Sequence, residues 1–228
     1  MPKIETKSGF HLVRRGNWLI AELGDFHDVL SWAVVNGGRT KARRVAWLQV
    51  TAGDLAPPIH PEEYFRKKMT EEKIEEAVGF LTSGNIDRYA ESEKKSQGLT
   101  VRTVVTAGMS NALRVGDAPG KLPSIGTINL LCRLSVPLSE EALVEAVSIA
   151  AEARTLAVLE TDVPSIQSAE PATGTGTDCI VIASPNGTRH QGDRYQFCGK
   201  HTALGSLIGS SVLEATRMAL KNWKKSKL

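Results

Sequence analysis

The 228-residue sequence has little cysteine: Cys132, Cys179 and Cys198 are odd in number and far apart. That spacing fits a reducing cytoplasm better than a disulfide framework, and it does not suggest a paired-cysteine metal site. Long hydrophobic runs are also missing. Stretches such as Cys179–Ala183 fall far short of the roughly 20 residues that a spanning helix needs. The first twenty residues mix Lys3, Glu5, Lys7, Arg14 and Arg15 with few apolar neighbours, so no signal peptide or membrane anchor is expected. Nor is there a surplus of one charge. The formal net charge of +3 gives no nucleic-acid footprint, and Lys221, Lys224, Lys225 and Lys227 read as a solvated helix end. The five histidines, at 11, 27, 60, 190 and 201, are scattered without the paired spacing of a metal site, and no metal or cofactor is expected.

What is present is an ordinary globular composition, 41% hydrophobic and 23% charged, from which one domain over residues 1–228 is expected. Phe10 to Leu23 predicts a hairpin turning at Gly16-Asn17, and Ser31–Val35 with Val45–Thr51 a second strand pair across Asn36-Gly37-Gly38. Pro61 at a first helical position predicts a helix over Glu62–Met69, with another over Glu71–Ala77. Val78–Thr82 and Leu99–Thr106 read as strands, and Ile86–Lys95 as a polar surface helix. Ala107–Ala112 is a small-residue bend, and Pro119–Pro123 a loop. Ile125–Leu134 is an apolar strand in which Thr127 and Asn129 need a reason to be buried. Ser139 caps a helix with an Ala-rich inner stripe, Cys179–Ser184 is a strand, and Thr202 caps the final helix. The fold class expected is α+β: mixed sheets covered by two long helices, Ser139–Glu160 and Thr202–Trp223. An α-β-β-α sandwich is one such arrangement, and the layer order is not legible in the sequence.

Two motifs are set aside. Thr173-Gly-Thr-Gly-Thr-Asp178 lacks the third glycine of a dinucleotide fingerprint and precedes a strand where it should follow one. Gly199-Lys200-His201-Thr202 lacks the earlier glycine of a phosphate loop. Its helix start still offers backbone donors beside Lys200 and His201 to a polar ligand group, or is an ordinary cap with a solvated lysine.

Five runs carry a resemblance when taken in order: Val34-Val-Asn-Gly-Gly38, Thr106-Ala-Gly-Met-Ser-Asn-Ala-Leu-Arg-Val-Gly-Asp117, Gly126-Thr-Ile-Asn-Leu-Leu131, Thr173-Gly-Thr-Gly-Thr-Asp178 and Cys198-Gly-Lys-His-Thr202. Spanning nearly the whole chain, they resemble the adenosylcobinamide amidohydrolase family. The resemblance implies hydrolysis of adenosylcobinamide to adenosylcobyric acid and aminopropanol, a corrinoid salvage step with a small-molecule corrinoid as substrate. It assigns no catalytic residue. Asp25-Phe-His27 is similar to the start of a base-off cobalamin carrier signature, but Leu30 stands where its glycine belongs.

Over the carboxyl-terminal half, Gly126-Thr127, Pro137–Leu143 and Gly176-Thr-Asp178 are more distantly similar to self-cleaving ornithine acetyltransferases and their aminopeptidase relatives. This implies Thr127 as nucleophile, Asn111 with backbone amides as oxyanion donors, and Asp178 as the group that orients the nucleophile or holds the leaving amine. Gly126 stands where the acetyltransferases carry Ala, which argues against self-cleavage. An uncut Thr127 would then draw on Lys200 or His201 as base. Asn36, Gly37, Gly38 and Lys200 are the expected substrate-binding residues of a broad groove. As plain structure, Thr127 is a strand former, Asn111 a turn residue, and Asp178 an acceptor for loop amides. An acyltransferase or aminopeptidase on the same scaffold, and a non-catalytic corrinoid-binding protein, are the alternatives. Oligomeric state is not legible.

Overall fold

The computed structural model describes residues 9–51, 53–120, 125–187 and 194–226. Lys3, Glu5, Lys7, His190, Lys227 and the end of the Pro119–Pro123 loop lie outside the described residues. The strands are β1 (His11–Arg15), β2 (Trp18–Ser31), β3 (Gly38–Gln49), β4 (Val78–Thr82), β5 (Ala90–Ser96), β6 (Leu99–Ala107), β7 (Ala112–Leu113), β8 (Ile128–Leu134), β9 (Gly174–Thr175) and β10 (Cys179–Pro185). The helices are α1 (Pro61–Glu72), α2 (Glu140–Leu159) and α3 (Ala203–Lys225). Eight strands join in one mixed sheet in the order β4-β3-β2-β10-β8-β6-β5, with β1 also on β2, while β7 and β9 form a small ribbon.

The expected hairpin forms between β1 and β2, but β2 runs on to Ser31 and is shared between two layers. Its first part, Trp18–Glu22, pairs with β1, and its last part, His27–Ser31, pairs with β10. Between them the register against β3 shifts, and Gly24 sits there at φ +89°. Such a bulge bends a strand and increases its twist, so the sheet turns back on itself. Strand alternation then sorts side chains into three cores. Trp18, Ile20, Ala46 and Leu48 pack with Phe65 and Met69 of α1. Leu19, Ala21, Val45, Trp47 and Phe80 face the other way and meet Val104, Leu131, Cys179 and Val181 from the far half of the sheet. Val105, Leu130, Cys132, Ile180 and Ile182 form the last core with α2 and α3. The layering is α-β-β-α, with both β layers drawn from one continuous sheet. The two covering helices start as the sequence indicates: Ser139 Oγ accepts from Ala142 N at 3.2 Å and Thr202 Oγ1 from Gly205 N at 2.9 Å.

Three sequence expectations are corrected. Ser31–Val35 is no strand: β2 ends at Ser31, and Val35 makes an isolated bridge to Gly79. No helix covers Glu71–Ala77, because α1 stops at Lys73, which adopts φ +62° and returns its N–H to the carbonyls of Met69 and Thr70. Asn36 Nδ2 then donates to the carbonyls of Glu75 and Ala77 at 2.9 and 2.8 Å, holding that segment in a turn that Ala77 N closes on Ile74 O at 2.9 Å. Ile86–Lys95 is mostly strand β5, hairpinned to β6 through Gln97 (φ +51°) and Gly98 (φ +77°), the backbone signs of a tight two-residue turn. Its inward residues are Ala90 and Ser92, too small or polar to announce the alternation. Among the described residues, no helix is long and apolar enough to cross a membrane.

His27 lies in the bend of β2 at 2% exposure, with Nδ1 2.9 Å from Asp25 O and no partner for Nε2 among the described residues. Burial pushes its imidazole below the ordinary 6.5. The Arg133 charge adds to the fall, while the Asp25 carbonyl and the carboxylates of Asp25 and Asp28 oppose it. The unfolded chain therefore takes up a proton that the folded chain refuses, and stability is lost as pH falls through about 6.5. Thermal unfolding of wild type and His27→Asn at about pH 7.5 and about pH 5.5 checks this. The wild type should lose more Tm on acidification than the variant; equal losses would acquit His27.

Candidate active site

β8 and β10 are parallel neighbours in register, Asn129 opposite Cys179, so the residues that precede each strand arrive at the same edge. Gly126-Thr127 meets Thr175–Asp178 there. Thr127 Oγ1 donates to Thr177 O at 2.8 Å, with Asn129 Oδ1 at 3.2 Å. Thr177 Oγ1 donates in turn to Gly126 O at 2.8 Å, and Asn129 Nδ2 to Leu81 O at 2.8 Å. This answers why Thr127, just before the apolar strand, and Asn129, within it, are buried: their polar atoms tie the start of β8 to the loop before β10 and to the end of β4. Thr127, 5% exposed, lies at the floor of a cleft of about 480 Å³ between the two β layers. Trp32, Val34, Leu55, Phe80 and Ile125 make its walls largely apolar.

Asp178 is the most heavily bonded side chain of the site. Its Oδ1 accepts from Ile128 N at 3.0 Å and Thr175 Oγ1 at 2.5 Å, and its Oδ2 from Thr175 N at 3.0 Å and Arg154 Nη1 at 2.9 Å. Burial raises this carboxyl, and Arg154, Thr175 and Ile128 work against the rise. All four partners are protein groups, which suits an orienting role: the carboxylate staples the Thr175 loop to the first amide of β8 and so locates Thr127. The glycine run has a physical reason too, since a Cβ on Gly174 would collide with Asp178 Oδ2.

Asn111 is held beside Gly126 by the β7–β9 ribbon, in which Ala112 pairs with Thr175. It is 1% exposed, and its Oδ1 has no partner among the described residues. A Cβ on Gly126 would lie 2.5 Å from that oxygen, 2.8 Å from Gly108 O and 2.9 Å from Ser110 N. Glycine at 126 is thus a packing requirement of the Gly108–Asn111 bend. The structure brings together Thr127, Asn111 and Asp178.

Thr127 and Asp178 line this cleft, Asn111 is buried beside Gly126 off its lining, and the remaining expected site residues do not line it either. Asn36, Gly37 and Gly38 build the β2–β3 connection, with Asn36 at φ +55° and a Cβ on Gly37 barred at 2.5 Å by Ala33 O. Lys200 pairs with Glu152 at 2.6 Å, both well exposed, and His201 is exposed beside Gly199 at the start of α3. Both sit on a face of α2 away from Arg154, because Glu152 and Arg154 are about 200° apart on the helix. The titratable groups among the described lining residues are Asp178 and Cys179. Burial pushes the Cys179 thiol up to about 12, so it is no thiolate nucleophile at neutral pH. Among the described residues, no group of three or more His, Cys, Asp or Glu could hold a metal ion. Sequence reasoning missed Arg154, whose one signal is a cation inside the Ala-rich stripe of α2, and Trp32.

The pair of Arg154 and Asp178 is buried, its side chains 15% and 6% exposed, whereas Lys200 and Glu152 stand at 72% and 53%. Removing one partner of a buried pair strands the other charge and costs roughly 3–5 kcal/mol, against about 1 kcal/mol or less at the surface. Urea unfolding should therefore place Arg154→Met far below wild type and Lys200→Met beside it. Similar midpoints for the two variants would remove Asp178 as the organising group.

A family model described as adenosylcobinamide amidohydrolase matches residues 3–228. The protein named adenosylcobinamide amidohydrolase from Methanosarcina mazei is 29% identical over 204 residues, covering 87% of this chain and 92% of that relative. Its namesake from Halobacterium salinarum is 29% identical over 200 residues, covering 81% of this chain and 77% of the relative. Among solved structures, the L-aminopeptidase D-Ala-esterase/amidase from Ochrobactrum anthropi aligns with a TM-score of 0.44 at 12% identity, over 94% of this chain and 83% of that one. That likeness is too loose to bear on chemistry.

Proposed function

The chain belongs to the adenosylcobinamide amidohydrolase family, whose name is that of a hydrolase acting on an amide bond, and on that premise we propose that it cleaves the aminopropanol amide of adenosylcobinamide. The products are adenosylcobyric acid and aminopropanol, and the setting is corrinoid salvage in the cytoplasm. The corrinoid is the substrate, and no further cofactor takes part. The observation that carries the reading is the Thr127 hydroxyl, held by Thr177 O at the floor of an apolar-walled cleft. A cleft with apolar walls and few convergent polar groups is what an amphipathic ligand needs.

In this reading Thr127 Oγ1 attacks the amide carbonyl carbon, giving an ester intermediate that water hydrolyses. Thr177 O orients the hydroxyl by accepting its proton in a hydrogen bond. Asn111, a buried amide beside Gly126, stabilises the oxyanion with nearby backbone N–H groups. Asp178 acts through Thr175 and Ile128, as a positioning residue. Lys200 and His201 are not needed as base. The tetrahedral adduct collapses to the ester as its C–N bond breaks, and aminopropanol leaves with the Thr127 proton, relayed to its nitrogen by a water in an uncut chain or by the Thr127 amine if the Gly126–Thr127 bond is cut.

Incubation with adenosylcobinamide, chromatography for adenosylcobyric acid and an intact-mass measurement test this together. Wild type and Thr127→Ser should form product, and Thr127→Ala should lose roughly a hundredfold or more in rate. Full activity of Thr127→Ala would end the nucleophile assignment. Fragments split before Thr127 would identify its new amine as the base. Transfer of the acyl group to an added amine, with no hydrolysis, would make the chain an acyltransferase.

A further inference from the structure

The structure carries an aromatic platform that the chemistry at Thr127 does not use. Trp32 is the first residue after β2, and the pairing of Ser31 with Val181 sets it beside the start of β10. Its indole N–H donates to Asp178 O at 2.6 Å, which anchors the ring, yet the residue stays 49% exposed at the mouth of the cleft. Val34 at 42% and Ile125 at 45% exposure line the same cleft. An indole whose polar handle is satisfied by backbone, and whose face is left in water among apolar neighbours, is suited to covering by a flat apolar partner. The cleft, about 480 Å³, is in the range that encloses a drug-sized ligand. A cobalt macrocycle with its peripheral arms is larger, so only the arm bearing the amide can enter, and the ring must rest on the mouth.

We infer that Trp32 is the platform on which the corrin macrocycle rests while its amide arm reaches Thr127, so that selectivity for a macrocyclic substrate resides in the β2–β3 connection. This rests on the amidohydrolase reading and adds to it the part of the substrate that Trp32 meets. The partner is the conjugated ring on the face from which the cleaved arm hangs; the adenosyl group lies elsewhere. The hydrogen bond to Asp178 O and the ring contact are separable, because phenylalanine keeps a ring and loses the donor.

Steady-state kinetics with adenosylcobinamide, together with equilibrium dialysis of dicyanocobinamide, which has the macrocycle and no adenosyl group, test the platform on wild type, Trp32→Ala and Trp32→Phe. Trp32→Ala should raise KM and weaken dicyanocobinamide binding by about tenfold each, with kcat within about twofold of wild type, while Trp32→Phe stays near wild type in both. A fall in kcat at unchanged KM in both variants would overturn the inference and make Trp32 an anchor for Asp178. So would a Trp32→Ala variant that binds dicyanocobinamide as wild type does but loses competition by 5′-deoxyadenosine, which would make Trp32 a nucleoside contact. Absence of wild-type product fails the amidohydrolase reading instead, and the dialysis still decides the platform.

Discussion

A carboxylate removed from water is tolerable only when its lone pairs are matched. At Asp178 that requirement organises the whole edge of the sheet. Four donors converge on it: the guanidinium of Arg154 from α2, the amide and hydroxyl of Thr175, and the first amide of β8. They come from three different elements, so satisfying one charge fixes the helix layer, the β7–β9 ribbon and the start of β8 relative to each other. The placing of Thr127 follows, since its hydroxyl is bonded to the residue immediately before Asp178. Glycines at 174 and 126 are the steric counterpart, leaving room where the carboxylate and Asn111 press in.

The bend in β2 supplies the other half of the site. Without it the eight strands would form one open layer, and β4 would lie far from β8. With it, the carbonyl of Leu81 meets the side chain of Asn129 at 2.8 Å, and the apolar faces of both layers share the core of Trp47, Phe80, Leu131 and Val181. The cleft is the open end of that core. Its walls are apolar because they are a continuation of the hydrophobic layer, and its floor is polar because two parallel strands begin there with unpaired backbone groups that hydroxyls and one carboxylate take up. A ligand with an apolar body and a single polar arm matches that division.

Much of this was legible along the chain. Hairpin, helix caps and the strands at Val78, Leu99 and Cys179 follow from local rules of turn chemistry, capping and alternation. Where local pattern failed, tertiary partners had taken over. Strand β5 looks polar because its outward residues carry charge and its inward ones are Ala90 and Ser92, which α3 covers. The segment after α1 looks helical until Asn36, distant in sequence, captures its carbonyls.

Sequence by itself determined the α+β class, the two long covering helices and the family, and it pointed to Thr127, Asn111 and Asp178 as candidates, because each rests on short runs that can be read locally. Only the tertiary structure decided that one bent sheet makes both layers, that Arg154 and Trp32 join the site, and that Lys200, His201 and the Asn36-Gly37-Gly38 turn stand apart from it. The reason is register and direction. Parallel pairing of β8 with β10 and the bend in β2 decide which side chains converge, and neither leaves a mark in any single stretch of residues.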